Sequence, residues 1–106
     1  MKNSVIEILK DVIIDEDGDL DIYELGEVVI NWPTVGEGDE EEGVDLENWE
    51  IISLTDKEMV MTAGGDWQEP IIFTLVPEDG KLRVKDVTVG FKDGLSHKKI
   101  IEILTK

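Results

Sequence analysis

The side chains of this sequence that could do chemistry are overwhelmingly carboxylates. The stretch DEDGDLDIYEL, residues 15–25, holds six acidic side chains in eleven positions, and Asp15, Asp17, Asp19 and Asp21 alternate along it. Carboxylates at that spacing can coordinate a hard cation or show negative charge to a partner, and with a glycine among them they can turn a hairpin. A second cluster, TVGEGDEEEGVDLEN at residues 34–48, has three glycines and seven acids: Glu37, Asp39, Glu40, Glu41, Glu42, Asp45 and Glu47. Trp32 precedes this cluster and Trp49 comes after it, each placed to serve as an aromatic anchor in a protein contact. These acids and the two tryptophans form the expected partner-binding set.

Asp15, Asp17 and Asp19 stand at the first, third and fifth positions of a twelve-residue calcium loop and Ile22 at the eighth, so the stretch resembles an EF-hand loop. The resemblance implies a calcium-binding module at Asp15–Glu24. The pattern departs from the family at Leu20, where the bend needs Gly, and at Gly26, where the bidentate Glu belongs. The flanking residues are β-formers where the family has helices. The preferred reading is an acidic hairpin turn in which Gly18 takes positive φ, with no metal held.

Other chemistry finds little support. The chain has no cysteine, which removes disulfides, thiolate metal sites and Cys nucleophiles. His97 is the single histidine; it stands near an apolar helical stripe with no identifiable nucleophile, and reads as a helix-start or half-buried structural residue. With 26 acids some pair always suits glycoside hydrolysis, so that spacing carries no information. GGD is followed by WQEP, not by the helix that a phosphate-binding loop requires. No catalytic residue and no cofactor is expected.

Net charge is −16 and unevenly spread: residues 1–50 carry 17 acids against 2 bases, residues 51–106 carry 9 against 8. Such a field repels nucleic acid and anionic membranes and attracts basic protein surfaces. The expected partner is a positively charged protein surface, with nucleic-acid-binding proteins as a natural class. Direct nucleic-acid binding and membrane association are not expected. Lys81, Arg83 and Lys85 alternate as a basic stripe, suited to cross-strand pairing with acids or to self-association; the chain is expected to be a monomer or weak homodimer. The N-terminus shows no unbroken apolar signal region, and no apolar run approaches the roughly 18 residues of a membrane span, so a cytoplasmic location is expected.

The elements that position these groups emerge from pattern. Ser4 and Glu7 form a capping box, and Val5, Ile8, Leu9 and Val12 recur at helical spacing, predicting a helix over about residues 4–11. VIIDEDGDLDIY reads as a hairpin about Gly18, and strands are expected on both sides of Gly26. Residues 34–48 offer little to bury and read as a mobile acidic loop. WEIISL, EMVMTA, PIIFTLV and KLRVKDVTVGF, separated by TDK, GGD and PEDG, form a four-stranded meander. Strict alternation would split Leu82 and Val84 from Val87, Val89 and Phe91; a bulge near Lys85 or Asp86 reunites them. Ser96 caps a last helix carrying Ile100, Ile101 and Leu104.

One domain results, of class α+β: an antiparallel sheet of about five or six strands, an N-terminal hairpin plus a C-terminal meander, packed by short N- and C-terminal helices. The function expected is a non-enzymatic acidic protein-binding domain, an inhibitor or nucleic-acid mimic that engages a basic surface. WEIISLTDKEMVM followed by GGDWQEPIIFTLV also resembles the hairpin rhythm of small lipocalin-like proteins, which implies a closed ligand-binding barrel as the alternative.

Overall fold

A computed structural model describes residues 3–35, 42–65 and 68–106. Ser4 caps the first helix, α1 (Val5–Ile13), its hydroxyl oxygen accepting from the Glu7 N–H at 3.4 Å and donating to Asp56 Oδ1 at 2.6 Å. Val5, Ile8, Leu9 and Ile13 share its buried face. The helix outlasts its expected end and takes in residues assigned to the hairpin. What remains of that hairpin is a single antiparallel bridge, Ile14 to Leu20.

The strand expected before Gly26 is a 3-10 helix, Ile22–Glu27. Ile22 and Leu25, three residues apart, are both buried, and a three-residue turn sets such a pair on one line. The strand expected after Gly26 is short: β1 (Val29–Ile30) ends at Asn31, which adopts φ 59°, one residue before Trp32 and Pro33. β2 (Thr34–Val35) and β3 (Glu42–Gly43) then pair antiparallel as a separate two-stranded ladder.

The meander forms as expected: β4 (Glu50–Leu54), β5 (Met59–Gly65), β6 (Gln68–Glu78) and β7 (Lys81–Val89) run antiparallel to their neighbours. Asp79 and Gly80, with φ of 52° and 81°, make the two-residue turn between β6 and β7, where Asp-Gly supplies the positive φ a tight hairpin needs. The wholly antiparallel sheet is corrected in one respect. β1 lies parallel to β7, Val29 opposite Leu82 and Ile30 opposite Arg83, giving a mixed five-stranded sheet of order β1-β7-β6-β5-β4. A parallel partner far along the chain leaves no local turn signal, which is why the spacing of residues around Gly26 does not reveal it. The sheet is open, with β1 and β4 at its ends, so the lipocalin-like closed barrel is not formed.

The bulge falls at Lys85: Leu75 faces Val84 and Thr74 faces Asp86, leaving Lys85 as the extra residue. Val87 is thereby opposite Phe73 and Val89 opposite Ile71, on the same side of the sheet as the core, yet both stay exposed because nothing among the described residues covers that end of β7. That side holds Ile51, Met59, Met61, Ala63, Phe73, Leu75 and Leu82, covered by α1 and by α2 (His97–Leu104), which brings Ile100 and Leu104. Ser96 caps α2, accepting from the Lys99 N–H at 3.1 Å.

Between β7 and α2 the chain crosses the end of the sheet. Gly90 N–H donates to Pro70 O at 3.0 Å and Leu95 N–H to Ile51 O at 2.8 Å, so this strap closes the outer edge of β4. Beneath it Thr62, fully buried, points its hydroxyl at Ile71 O, 2.9 Å away, and lies 3.3 Å from Gly90 O. Among the described residues no helix is long and apolar enough to cross a membrane.

Candidate functional site

The acidic turn is built around Asp15. Its Oδ1 accepts from the N–H groups of Asp17 and Asp19, both at 2.9 Å, its carbonyl accepts from Gly18 N–H at 3.1 Å, and its own N–H donates to Asp19 O at 2.9 Å. Gly18 takes φ 83°, the positive value expected of it. The carboxylate at the first position of the supposed calcium loop thus organises backbone, as a short acidic side chain does in an Asx turn. Asp15, Asp17 and Asp19 are exposed and Asp21 half-buried, and none forms an ion pair among the described residues. No cluster of three or more His, Asp or Glu side chains able to hold a metal ion occurs among the described residues. These acids lie on a turn, so they do not form the strand-borne ladder of carboxylates with which a phosphate backbone is most directly imitated.

Of the second acidic cluster, Glu37, Asp39, Glu40 and Glu41 lie outside the described residues, and of Glu42 only the backbone is described. The two ends of the segment are held. The β2–β3 ladder closes its mouth, and the amide of Gln68 clamps the chain at residues 43–45: Nε2 donates to Gly43 O at 2.9 Å and Oε1 accepts from Asp45 N–H at 2.8 Å. Asp45 Oδ1 in turn accepts from Glu47 N–H at 2.9 Å. Val44 and Leu46 pack half-buried against the core, so residues 44–46 are seated on it.

The two tryptophans lie at opposite ends of the strand order. Trp49 precedes edge strand β4 and stacks on His97, ring centroids 5.0 Å apart and planes at 12°, which joins it to the first residue of α2. His97 is thus the helix-start residue expected, although it is exposed. Trp32 lies just beyond β1 and sets its ring edge-on against Phe73, centroids 5.8 Å apart. Around Trp32 a shallow cleft of about 230 Å³ opens, lined by Tyr23, Gly26, Trp32, Gly43, Val44 and Leu46. Tyr23 is 63 % exposed, projecting from the 3-10 helix.

The structure therefore gathers one expected residue, Trp32, with four that sequence reasoning did not single out: Tyr23, Val44, Leu46 and, as the clamp beside them, Gln68. A signal for Tyr23 exists in the three-residue recurrence of Ile22, Leu25 and Val28, which turns Tyr23 outward; Gln68 offers none. Glu24, Glu27 and Asp45 are close in sequence to the lining, so the cleft opens between acidic segments. Among the described residues, every buried side-chain nitrogen and oxygen has a hydrogen-bond partner. Compared with known proteins, the chain matches no protein-family profile, no curated protein and no solved structure.

Proposed function

We propose that this chain is a non-enzymatic protein-binding domain that presents its acidic half, Asp15–Glu50, to a positively charged surface of a partner protein. The observation that supports the reading is the Tyr23–Trp32 cleft between acidic segments: an apolar seat with two aromatic rings, set in a strongly negative field. Charge of this kind steers encounter and speeds association, while a desolvated aromatic seat slows release. Arg and Lys side chains combine an apolar stem with a cationic head that favours aromatic faces, and they are the natural occupants. At about 230 Å³ the cleft is smaller than the roughly 300–1,000 Å³ of common small-molecule pockets, which favours a single side chain over a carried ligand. Inhibition of a nucleic-acid-binding protein is the form of this function that the charge supports best.

The test is affinity capture from source-cell lysate at low and moderate salt, followed by binding kinetics on the purified partner. Three proteins are compared: the native chain, a variant with Asp15, Asp17 and Asp19 changed to Asn, and Trp32→Ala. Asn at position 15 keeps the side-chain oxygen that organises the turn. The charge variant should lower the association rate and flatten its salt dependence, and Trp32→Ala should raise the dissociation rate. Native-like kinetics in both variants would remove the acidic half from the interface.

A further inference from the structure

We propose that the outer edge of β7 over Asp86–Val89 is a strand-addition site, and that its occupant is the same edge of a second copy of this chain. The proposal does not depend on the function argued above. Its basis is the unequal treatment of the two edges of the sheet. At β4 the strap covers the edge through Leu95 N–H and Ile51 O. At β7, β1 pairs only with Leu82 and Arg83, and among the described residues the edge beyond the Lys85 bulge has no strand partner.

The direction of the free backbone groups is set by the register. Gly90 N–H donates to Pro70 O, so position 90 faces β6; by antiparallel alternation Thr88 and Asp86 also face β6, and Val87 and Val89 turn their N–H and C=O groups outward. The same two residues carry exposed apolar side chains, Val87 at 48 % and Val89 at 65 %, with Phe91 at 50 % just beyond. Three of the four exposed large hydrophobic residues among those described therefore lie at this edge, the fourth being Tyr23. An edge with free hydrogen-bonding groups and apolar side chains is the arrangement that soluble proteins ordinarily cover or charge.

A second copy fits better than an unrelated strand for two reasons. The first is register. Paired antiparallel about a two-fold axis at Thr88, Val87 faces Val89 of the other copy twice over, and the outward N–H and C=O groups of both residues are used. Asp86 then faces Gly90, and no charged residue faces its own copy. The second is charge. Two chains of net charge −16 approach most easily where the local charge is not negative, and β7 carries Lys81, Arg83 and Lys85 against Asp86. Arg83 is paired with Glu78 at 3.1 Å and Lys81 donates to Glu27 O at 3.2 Å, so the base next to the open segment with no such contact among the described residues is Lys85. This basic flank meets the negative field of the other molecule, and the bulge at Lys85 limits the pairing to a short segment.

The experiment is sedimentation equilibrium from about 1 µM to 1 mM, with amide exchange of Val87 and Val89 followed by NMR, on the native chain, Val89→Pro and Val89→Thr. Proline at position 89 removes an N–H that faces outward and leaves the β6 ladder intact, a position where edge strands accept it. The native chain should show a reversible monomer–dimer equilibrium, with protection of both amides rising with concentration. By symmetry Val89→Pro deletes two of four intermolecular hydrogen bonds and should weaken the dimer about 30-fold, equivalent to about 2 kcal/mol. Val89→Thr keeps the donor and the strand propensity and should weaken it less, so loss of dimer through misfolding of the proline variant is distinguishable. A native chain of single-chain mass up to 1 mM would overturn the proposal, as would undiminished dimer in Val89→Pro. A monomeric chain whose Val87 and Val89 amides become protected only with another protein would also overturn it, and would assign the edge to that protein.

Discussion

Gly94→Ala is the sharpest test of the strap that closes the β4 edge. A Cβ on Gly94 would overlap Ile51 O and stand 2.8 Å from Ile51 C and 3.0 Å from Glu50 Cβ. Two of these neighbours are backbone atoms of a hydrogen-bonded strand and cannot swing aside as a side-chain tip can. Restoring ordinary van der Waals separation requires the strap to lift by roughly an ångström, which breaks the Leu95 N–H to Ile51 O bond of 2.8 Å and uncovers half-buried Leu95. The hydrogen bond contributes about 1 kcal/mol and the lost burial about 1 kcal/mol more, so the variant should lose roughly 2–3 kcal/mol. In a domain of this size that is a fall in Tm of roughly 10–20 °C. Glycine-to-alanine changes at unstrained sites stabilise by about 0.4–1 kcal/mol, so even the sign discriminates. Thermal unfolding by circular dichroism supplies the magnitude and amide exchange at Leu95 supplies the place. An unchanged or raised Tm with Leu95 still protected would refute the seating of the strap.

Three further outcomes are expected. Gln68→Glu keeps the acceptor for Asp45 N–H and loses the donor to Gly43 O; it should cost about 1–2 kcal/mol and speed exchange at the Asp45 amide, and native-like exchange there would show that the clamp is idle. One millimolar calcium should leave Tm within about 1 °C of its value in chelator, because Asp15 Oδ1 is occupied by two backbone N–H groups; ligand binding to the native state raises Tm, so a rise of several degrees would restore the calcium reading. Raising ionic strength from about 10 mM to 0.5 M should increase Tm by several degrees, because salt screens the self-repulsion of a chain of net charge −16. A fall in Tm with salt would mean that attractive pairs outweigh that repulsion.

What was legible in the sequence is what short-range chemistry decides. Ser4 and Ser96 cap their helices because a hydroxyl just before an apolar stripe meets free amides, and the Asp79-Gly80 turn and the Lys85 bulge are forced by positive φ and by the need to keep apolar residues on one face. What was not legible depends on partners distant in the chain. Val28, Val29 and Ile30 read as a strand, but that the strand is short and lies parallel to β7 is settled by Leu82 and by the left-handed turn at Asn31. The 3-10 helix carried a period-three signal that β-branched neighbours masked. For the candidate site, Trp32 and the acidic turn were visible, whereas the cleft depends on Tyr23, Val44 and Leu46 being brought together by elements that do not pair in sequence order.

The parallel contact of β1 with β7 also bears on the order in which the chain can assemble during synthesis. Val29 meets its strand partner at Leu82, and Val5 N–H donates to Asp56 O at 2.9 Å, so the N-terminal elements wait for chain made much later. The β4–β7 meander closes through neighbouring strands and can assemble first, since local pairing outpaces distant pairing. The emerging first half therefore has no sheet to dock on until the meander exists. Over that interval its 17 acids against 2 bases keep the nascent segment solvated and apart from its copies. The same charge thus acts on the unfinished chain as well as on the folded one.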